Sequence, residues 1–409
     1  MNDAPRLPAA SRIASRVRRI KPSPSTAAAD RANSLRRAGR SIVNLVVGEP
    51  DFDTPAHIRA AAAAAMDRGA TRYTLMAGTV ELRQAITAKL ARENGLTYEP
   101  DEIIATNGAK SAIYTAFAIT LEPGDEVIIP APYWVSYPDM VLASDGVPVT
   151  ITCPEKNGFK LTPAQLAGAI TPRTRWLLIN SPSNPTGASY SHAEYVALAK
   201  VLLANPHVLV MTDDIYEHIR FDGGRTPHLL EAAPALRDRV LAVNGVSKTY
   251  AMTGWRIGYA AGPADLIEAM NTMLSQSSGN CCSVSQAAAT EALNGDQSFV
   301  IESVGIYKQR RDATLARINA IPGLSCAPPD GAFYLYVNCA GLIGKTGPDG
   351  KTLREDDDVV MFLLEHAGVA VVAGTAYGLS PYFRLSIATS LEILDSGCER
   401  IATAVRSLK

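Results

Sequence analysis

Val208-Leu-Val-Met-Thr-Asp213-Asp214-Ile-Tyr216 is an apolar run of strand length that ends in two carboxylates and a tyrosine. Five residues of this kind with no polar alternation suit a strand buried on both faces, as in a parallel sheet. Similar runs lie on either side: Glu126–Ala131, Val149–Cys153, Arg175–Asn180, Val240–Val243 and Ile257–Ala261. Longer helix-period stretches separate them. The Ala56–Arg68 segment reads as a helix capped by Thr54-Pro55 and ended by Gly69. Such alternation predicts an α/β fold, a mainly parallel sheet flanked by helices, with function at the carboxyl ends of the strands.

The rhythm changes after about residue 305. A basic helix (Tyr307–Asn319) leads to Gly331-Ala-Phe-Tyr-Leu-Tyr-Val337, then a polar, glycine-rich insertion at 341–358. Val369–Val372 and Phe383–Ile387 read as further strands. The chain has 409 residues, too long for one ordinary core, so two domains are expected. Their bounds are 57–305 for a large domain, and 1–56 with 306–409 for a smaller α+β domain carrying an N-terminal arm.

Composition excludes several classes. Lys+Arg is 39 against Asp+Glu 40, a net charge of -1, which argues against a nucleic-acid or membrane-surface partner. No apolar stretch approaches the ~18 residues of a membrane span. Six cysteines form no CxxC pair, which fits neither a disulfide framework nor a zinc site and suits a reducing cytoplasm. Residues 1–40 hold ten Lys/Arg and only Asp3 and Asp30 as acids. That is the composition of a transit peptide or of an arginine-rich surface arm or first helix, and the latter is the favoured reading. Neither G-x-G-x-x-G, G-x-x-x-x-G-K-[ST] nor H-E-x-x-H occurs, and no metal-ligand pattern links the histidines. A Rossmann dehydrogenase, a P-loop enzyme and a zinc hydrolase lose ground accordingly.

What remains is a set of polar residues at strand ends. Lys248 follows Val240–Val243 in Asn244-Gly-Val-Ser-Lys248, where a desolvated amine would suit a Schiff-base nucleophile and a solvated one would be a plain loop lysine. Asp213 could face a protonated ring nitrogen or cap a helix. Asn184 sits in Ser181-Pro-Ser-Asn184-Pro-Thr-Gly187, either fixed toward a ligand or part of a turn. Thr106-Asn-Gly108-Ala109-Lys110 opens a helix, and its first amides would suit a phosphate. Trp134, in Pro132-Tyr-Trp134, could lie on a planar ligand or simply pack.

Together these motifs resemble the pyridoxal-phosphate-dependent aminotransferases of the aspartate aminotransferase family, fold type I. The quoted stretches are Gly48-Glu-Pro-Asp-Phe52, Tyr73, Gly108-Ala-Lys110, Pro132–Pro138, Ser183–Gly187, Asp213–Tyr216, Ser247-Lys248, Gly254-Trp-Arg-Ile-Gly258 and Phe383-Arg384-Leu-Ser. The likeness runs from about Lys21-Pro-Ser23 to the C-terminus. Cys339–Lys345 and Met252-Thr-Gly-Trp-Arg256 are most similar to the bacterial gamma subgroup of class I. A match that begins close to residue 10 would leave little chain for a cleaved leader, which supports the cytoplasmic expectation.

The resemblance implies that Lys248 holds pyridoxal 5'-phosphate covalently and shuttles the substrate proton. Asp213 would pair with the pyridine nitrogen, Asn184 and Tyr216 with the 3′ oxygen, and Trp134 would stack on the ring and border the substrate. Gly108, Ala109, Ser247, Arg256 and Tyr73 would hold the phosphate, the tyrosine coming from a neighbouring subunit, so a homodimer with shared sites is implied. Arg384 would grip the substrate α-carboxylate with help from Asn184 and Gly48, and Lys110 would read a distal carboxylate. The expected reaction is ping-pong transamination of amino acids and 2-oxo acids, with L-aspartate and 2-oxoglutarate leading. An aromatic amino acid or prephenate is the chief variation, a β-lyase or decarboxylase a further one. A cofactor-sensing transcription regulator would need a DNA-binding domain that the first fifty residues do not supply. Departures from the family's pattern are Leu75-Met76, the stretch Ser277–Gln286 with Cys281-Cys282, and Ala287 in place of a tryptophan. They either reshape the dicarboxylate pocket or are neutral in packing.

Overall fold

The computed structural model describes residues 12–409. Residues 1–11 of the expected small-domain segment and arm lie outside the described part. After a short β1 (Val43–Asn44), seven strands build the central sheet. They are β2 (Ile103–Thr106), β3 (Glu126–Ala131), β4 (Val147–Thr152), β5 (Thr174–Asn180), β6 (Leu209–Asp213), β7 (Val240–Gly245) and β8 (Gly258–Ala261). Their order is β2-β8-β7-β6-β5-β3-β4. Only β8 runs antiparallel to its neighbours, so the sheet is mainly parallel, as expected. The continuous apolar runs follow from burial on both faces: Ile128, Leu177 and Ile179 point into one core, while Val127, Ile129, Trp176 and Leu178 point into the other.

Two expected strands differ. The Val149–Cys153 run is β4, an edge strand with exposed and half-buried residues, because β3 alone pairs with it. Ile257–Ala261 reads like its parallel neighbours but is reversed, since burial on both faces leaves no sign of direction in the residues. The helix Ala56–Asp67 forms as expected, yet its N-cap position is Pro55. Thr54 does not cap it; the hydroxyl donates to the Ala251 carbonyl at 2.6 Å and accepts from Trp255 Nε1 at 3.0 Å.

A second apolar body surrounds β9 (Tyr334–Asn338), β10 (Val369–Ala370), β11 (Val372–Ala373) and β12 (Tyr382–Ser386). Antiparallel β11-β12-β9 form one sheet, and β1 pairs parallel with β10, bringing residues 43–44 into this body. Val369–Val372, read as one strand, is therefore split between two sheets. The helix expected from Tyr307 begins at Ser298 and runs 22 residues to Asn319, across the residue-305 change of rhythm. Gly305 looks like a break, but an interior glycine costs a helix only about 1 kcal/mol. No helix among the described residues is long and apolar enough to cross a membrane.

The topology makes a crevice. From β3 the chain moves to β4 on one side, and from β5 to β6 on the other, so the segments after β3 and β5 diverge. Open sheets bind ligands at such a reversal, outside the carboxyl ends of the strands.

Candidate active site

A cleft of about 360 Å³ opens at those strand ends. Gly48, Ala109, Lys110, Trp134, Asn184, Asp213, Tyr216, Ser247, Lys248, Arg256 and Arg384 line it, and Gly108 stands at its edge beneath Arg256. Ser23 and Thr26, from the start of the helix Pro24–Arg37, also border it.

Asp213 ends β6 with 4% of its surface exposed, and no helix begins after it, so it is not a cap. Burial pushes its carboxyl up to about 6 despite the hydrogen bond that Tyr137 donates at 2.6 Å. Its neighbour on β5, Asn180, donates to the Asp213 carbonyl at 2.7 Å and accepts from the Asn184 amide at 2.8 Å. One side chain thereby sets both strand ends. Lys248 is no solvated loop lysine: its amine lies inside the cleft and donates to the Gly48 carbonyl at 2.6 Å. Desolvation, aided by Arg384 and Arg256, lowers its pKa to about 8.

Arg384, in the middle of β12, is 3% exposed. Nη1 donates to Asn184 Oδ1 at 2.9 Å, Nη2 to the Val46 carbonyl at 2.6 Å, and the guanidinium lies 4.3 Å from the Tyr334 ring centre. Its Nε is buried without a protein partner. Tyr216 and Tyr334 share a hydroxyl hydrogen bond of 2.9 Å. A side chain at Gly48 would meet the Tyr334 hydroxyl at 2.8 Å, so glycine is needed where that backbone crosses the cleft.

The helix Ala109–Thr120 starts at the opposite wall. Gly108 precedes it at φ +88, and a Cβ there would lie 2.3 Å from Arg256 Nη2. No side chain caps this helix; the Gly108 amide, expected to hold an anion, instead donates to the Thr106 carbonyl at 2.7 Å and the Ser111 amide to the Gly108 carbonyl at 2.9 Å, which leaves those of Ala109 and Lys110. Arg256, itself left-handed at φ 57, rests over this start and donates to the Thr253 carbonyl at 2.8 Å. Free amides, a helix dipole and a guanidinium make an anion cradle of phosphate chemistry. Lys110 Nζ stands 4.7 Å over the Trp134 ring and donates to Ser136 Oγ at 3.3 Å, its pKa lowered by burial and by Arg256.

Tyr73 is not brought into this group. It is 97% exposed, in a separate depression with Ser283 and Ala287. Conversely, Tyr137, Tyr334 and Asn180 belong to the site and were not singled out in the sequence. Tyr137 lies within the quoted Pro132–Pro138 stretch, three residues beyond Trp134, which was the available signal.

Comparison with known proteins gives matches along nearly the whole chain. The family model for aminotransferase class I and II matches residues 40–401. An aspartate/prephenate aminotransferase of Cereibacter sphaeroides is 52% identical over 94% of this chain and 96% of its own. An aspartate aminotransferase of Rhizobium meliloti is 52% identical over 96% of this chain and 95% of its own. Among solved structures, an aspartate aminotransferase from Rhizobium meliloti superposes with a TM-score of 0.95 at 51% identity, covering 97% of this chain and 99% of that one. An aspartate aminotransferase from Thermus thermophilus with maleate gives 0.89 at 40% identity, over 96% of this chain and 99% of that one.

Proposed function

The chain belongs to the aminotransferase class I and II family and is a transaminase; from that premise we propose that it uses pyridoxal phosphate to move the amino group of L-aspartate to 2-oxoglutarate, as a homodimer. The observation that carries the cofactor assignment is the pairing of a buried amine and a buried carboxylate in one cleft, beside an anion cradle that a Cβ at Gly108 would fill. These donors fit the group: a cation-capped helix start for its phosphate, Asp213 for a ring nitrogen, and an indole for its face. Bound there, the cofactor supplies a carbonyl that receives the amino group and a ring that accepts electron density from the substrate Cα.

The protein's part follows from its own residues. Lys248, with a pKa near 8, has a substantial neutral fraction at physiological pH and can take the proton from Cα and return it. Asp213, above its pKa of about 6, presents a carboxylate that favours a protonated nitrogen beside it. Arg384 is held with its fork toward the cleft, suited to a carboxylate. The amino acid and the 2-oxo acid share that carboxylate, so one site serves both halves of a ping-pong cycle.

Aspartate is favoured by Lys110, a cation held over Trp134 where a distal carboxylate would lie. The names of the relatives and the maleate of the Thermus structure, a four-carbon dicarboxylate, support the same choice. Prephenate is the second reading, favoured by the name of the Cereibacter relative. Support for a homodimer comes from the exposed apolar and aromatic set Met66, Tyr73, Leu75 and Val80. The six cysteines, none in a disulfide, support the cytoplasm.

A half-reaction panel tests the substrate. Holoprotein mixed with aspartate should lose its cofactor absorbance at lower concentration than with phenylalanine. Lys110→Ala should raise the half-saturating aspartate concentration about 10-fold and leave phenylalanine nearly unchanged. Equal effects on both would remove Lys110 from distal recognition, and release of pyruvate and ammonia would indicate a lyase instead.

A further inference from the structure

We propose that Glu217 and His218 are positioning residues that set the spacing between Tyr216 and Lys248 across the cleft. The inference rests on the cofactor reading above.

Tyr216 and Lys248 come from separate turns, one after β6 and one after β7. Behind the cleft, the two residues that follow Tyr216 are tied one after the other to the segment that carries Lys248. Glu217 accepts a hydrogen bond from the Asn244 side chain, four residues before Lys248. His218 Nδ1 lies 3.1 Å from the hydroxyl of Thr249, the residue next to Lys248. Each tie is backed by the helix Val80–Asn94. Lys89, with 0% exposure, binds Glu217, and Asn94 donates to the other Glu217 oxygen at 2.8 Å. Glu93 Oε2 lies 2.8 Å from His218 Nε2. A carboxylate can only accept, so Nε2 carries a proton, and Nδ1 on the other side of the ring shares its hydrogen bond with the Thr249 hydroxyl.

A charge pair this deep resists being opened, because removing one partner strands the other without water. Burial alone would raise the Glu217 pKa; Lys89, His218 and Asn94 outweigh it and hold the carboxyl well below the usual range. The pair would serve stability wherever it sat. What indicates positioning is the alignment: two consecutive ties, directly behind the two turns whose side chains must meet one ligand. Small displacements of reacting groups have large effects on rate.

Thr249→Val removes the hydroxyl at nearly constant shape, and Thr249→Ser keeps it. In purified holoprotein, Thr249→Val should slow the saturated aspartate half-reaction by about 10-fold, with the half-saturating concentration little changed. The pH midpoint of cofactor absorbance, which Tyr216 would hold down, should rise by roughly half a unit. Thr249→Ser should match wild type on both measures. His218→Ala should act in the same direction, and the double variant should be no worse than His218→Ala alone, because the two share one contact. If Thr249→Val lowers only the unfolding temperature of the cofactor-free protein, or if the two substitutions add, the positioning role is overturned. Wild-type protein that takes up no pyridoxal phosphate, or Lys248→Ala protein with unchanged absorbance, would bring down the cofactor reading as well. Normal wild-type uptake with a silent Thr249→Val sinks the present inference alone.

Discussion

Two regions that the sequence assigns to one site are treated oppositely by the fold. At the strand ends, Asp213, Tyr216 and Lys248 are each withdrawn from water and each held by a named hydrogen bond. In the loop at residues 70–80, Tyr73 stands almost fully in solvent, outside the cleft, beside an exposed Leu75. One region is complete within the chain. The other offers a hydroxyl that its own cleft does not receive. Perturbed acid–base groups belong to the first because burial is what perturbs them.

Three substitutions test that contrast, beginning with the strongest. Lys248→Ala should abolish multiple turnover, by roughly 10⁴-fold or more, while the protein stays folded, since the role proposed for the lysine is chemical. Steady-state transamination at a normal rate would dissolve the difference between the regions.

Asp213→Asn probes burial itself. The folded-state pKa of Asp213 is raised from 3.8 to about 6, so the folded protein holds this proton more tightly than the unfolded chain. Its stabilising contribution is complete below the unfolded value and is lost as pH rises through the folded one. Urea unfolding of the cofactor-free protein should therefore show the wild-type stability, relative to Asp213→Asn, falling by roughly 2 kcal/mol from pH 4 to pH 7. A flat difference would mean that the carboxylate is already solvated.

Tyr73→Phe should have the smallest effect. If the hydroxyl completes a neighbour's anion cradle, as the proposed homodimer requires, cofactor affinity should weaken by about 1 kcal/mol, the typical net worth of one hydrogen bond, measured by titrating pyridoxal phosphate into the cofactor-free protein. Unchanged affinity would leave the exposed loop outside the site in the assembly too.

Much of this was legible from residues alone, for a physical reason. Strands buried on both faces must be apolar throughout, and a polar residue at their ends is conspicuous; Asp213 after Leu209–Thr212 is such a case. Ile103–Thr106, only four residues long, was too short to stand out as a strand. The direction of β8 was invisible because pairing direction is a backbone property. Tyr137 and Tyr334 escaped notice as site residues because they act on partners 76 and 118 positions away, Asp213 and Tyr216. Local spacing carries no trace of such contacts.

By itself the sequence determined the alternating architecture, the family and the ordered set of groups able to hold an amine, a carboxylate and an anion. Arg384 and Lys110 are both plain cations in that listing of letters. Only the tertiary structure made the first a buried fork between Asn184 and Val46 and left the second exposed beside Trp134. The charge state and directional grip of a side chain depend on how much water it loses and which dipoles replace that water, and both quantities come into being only when distant segments pack together.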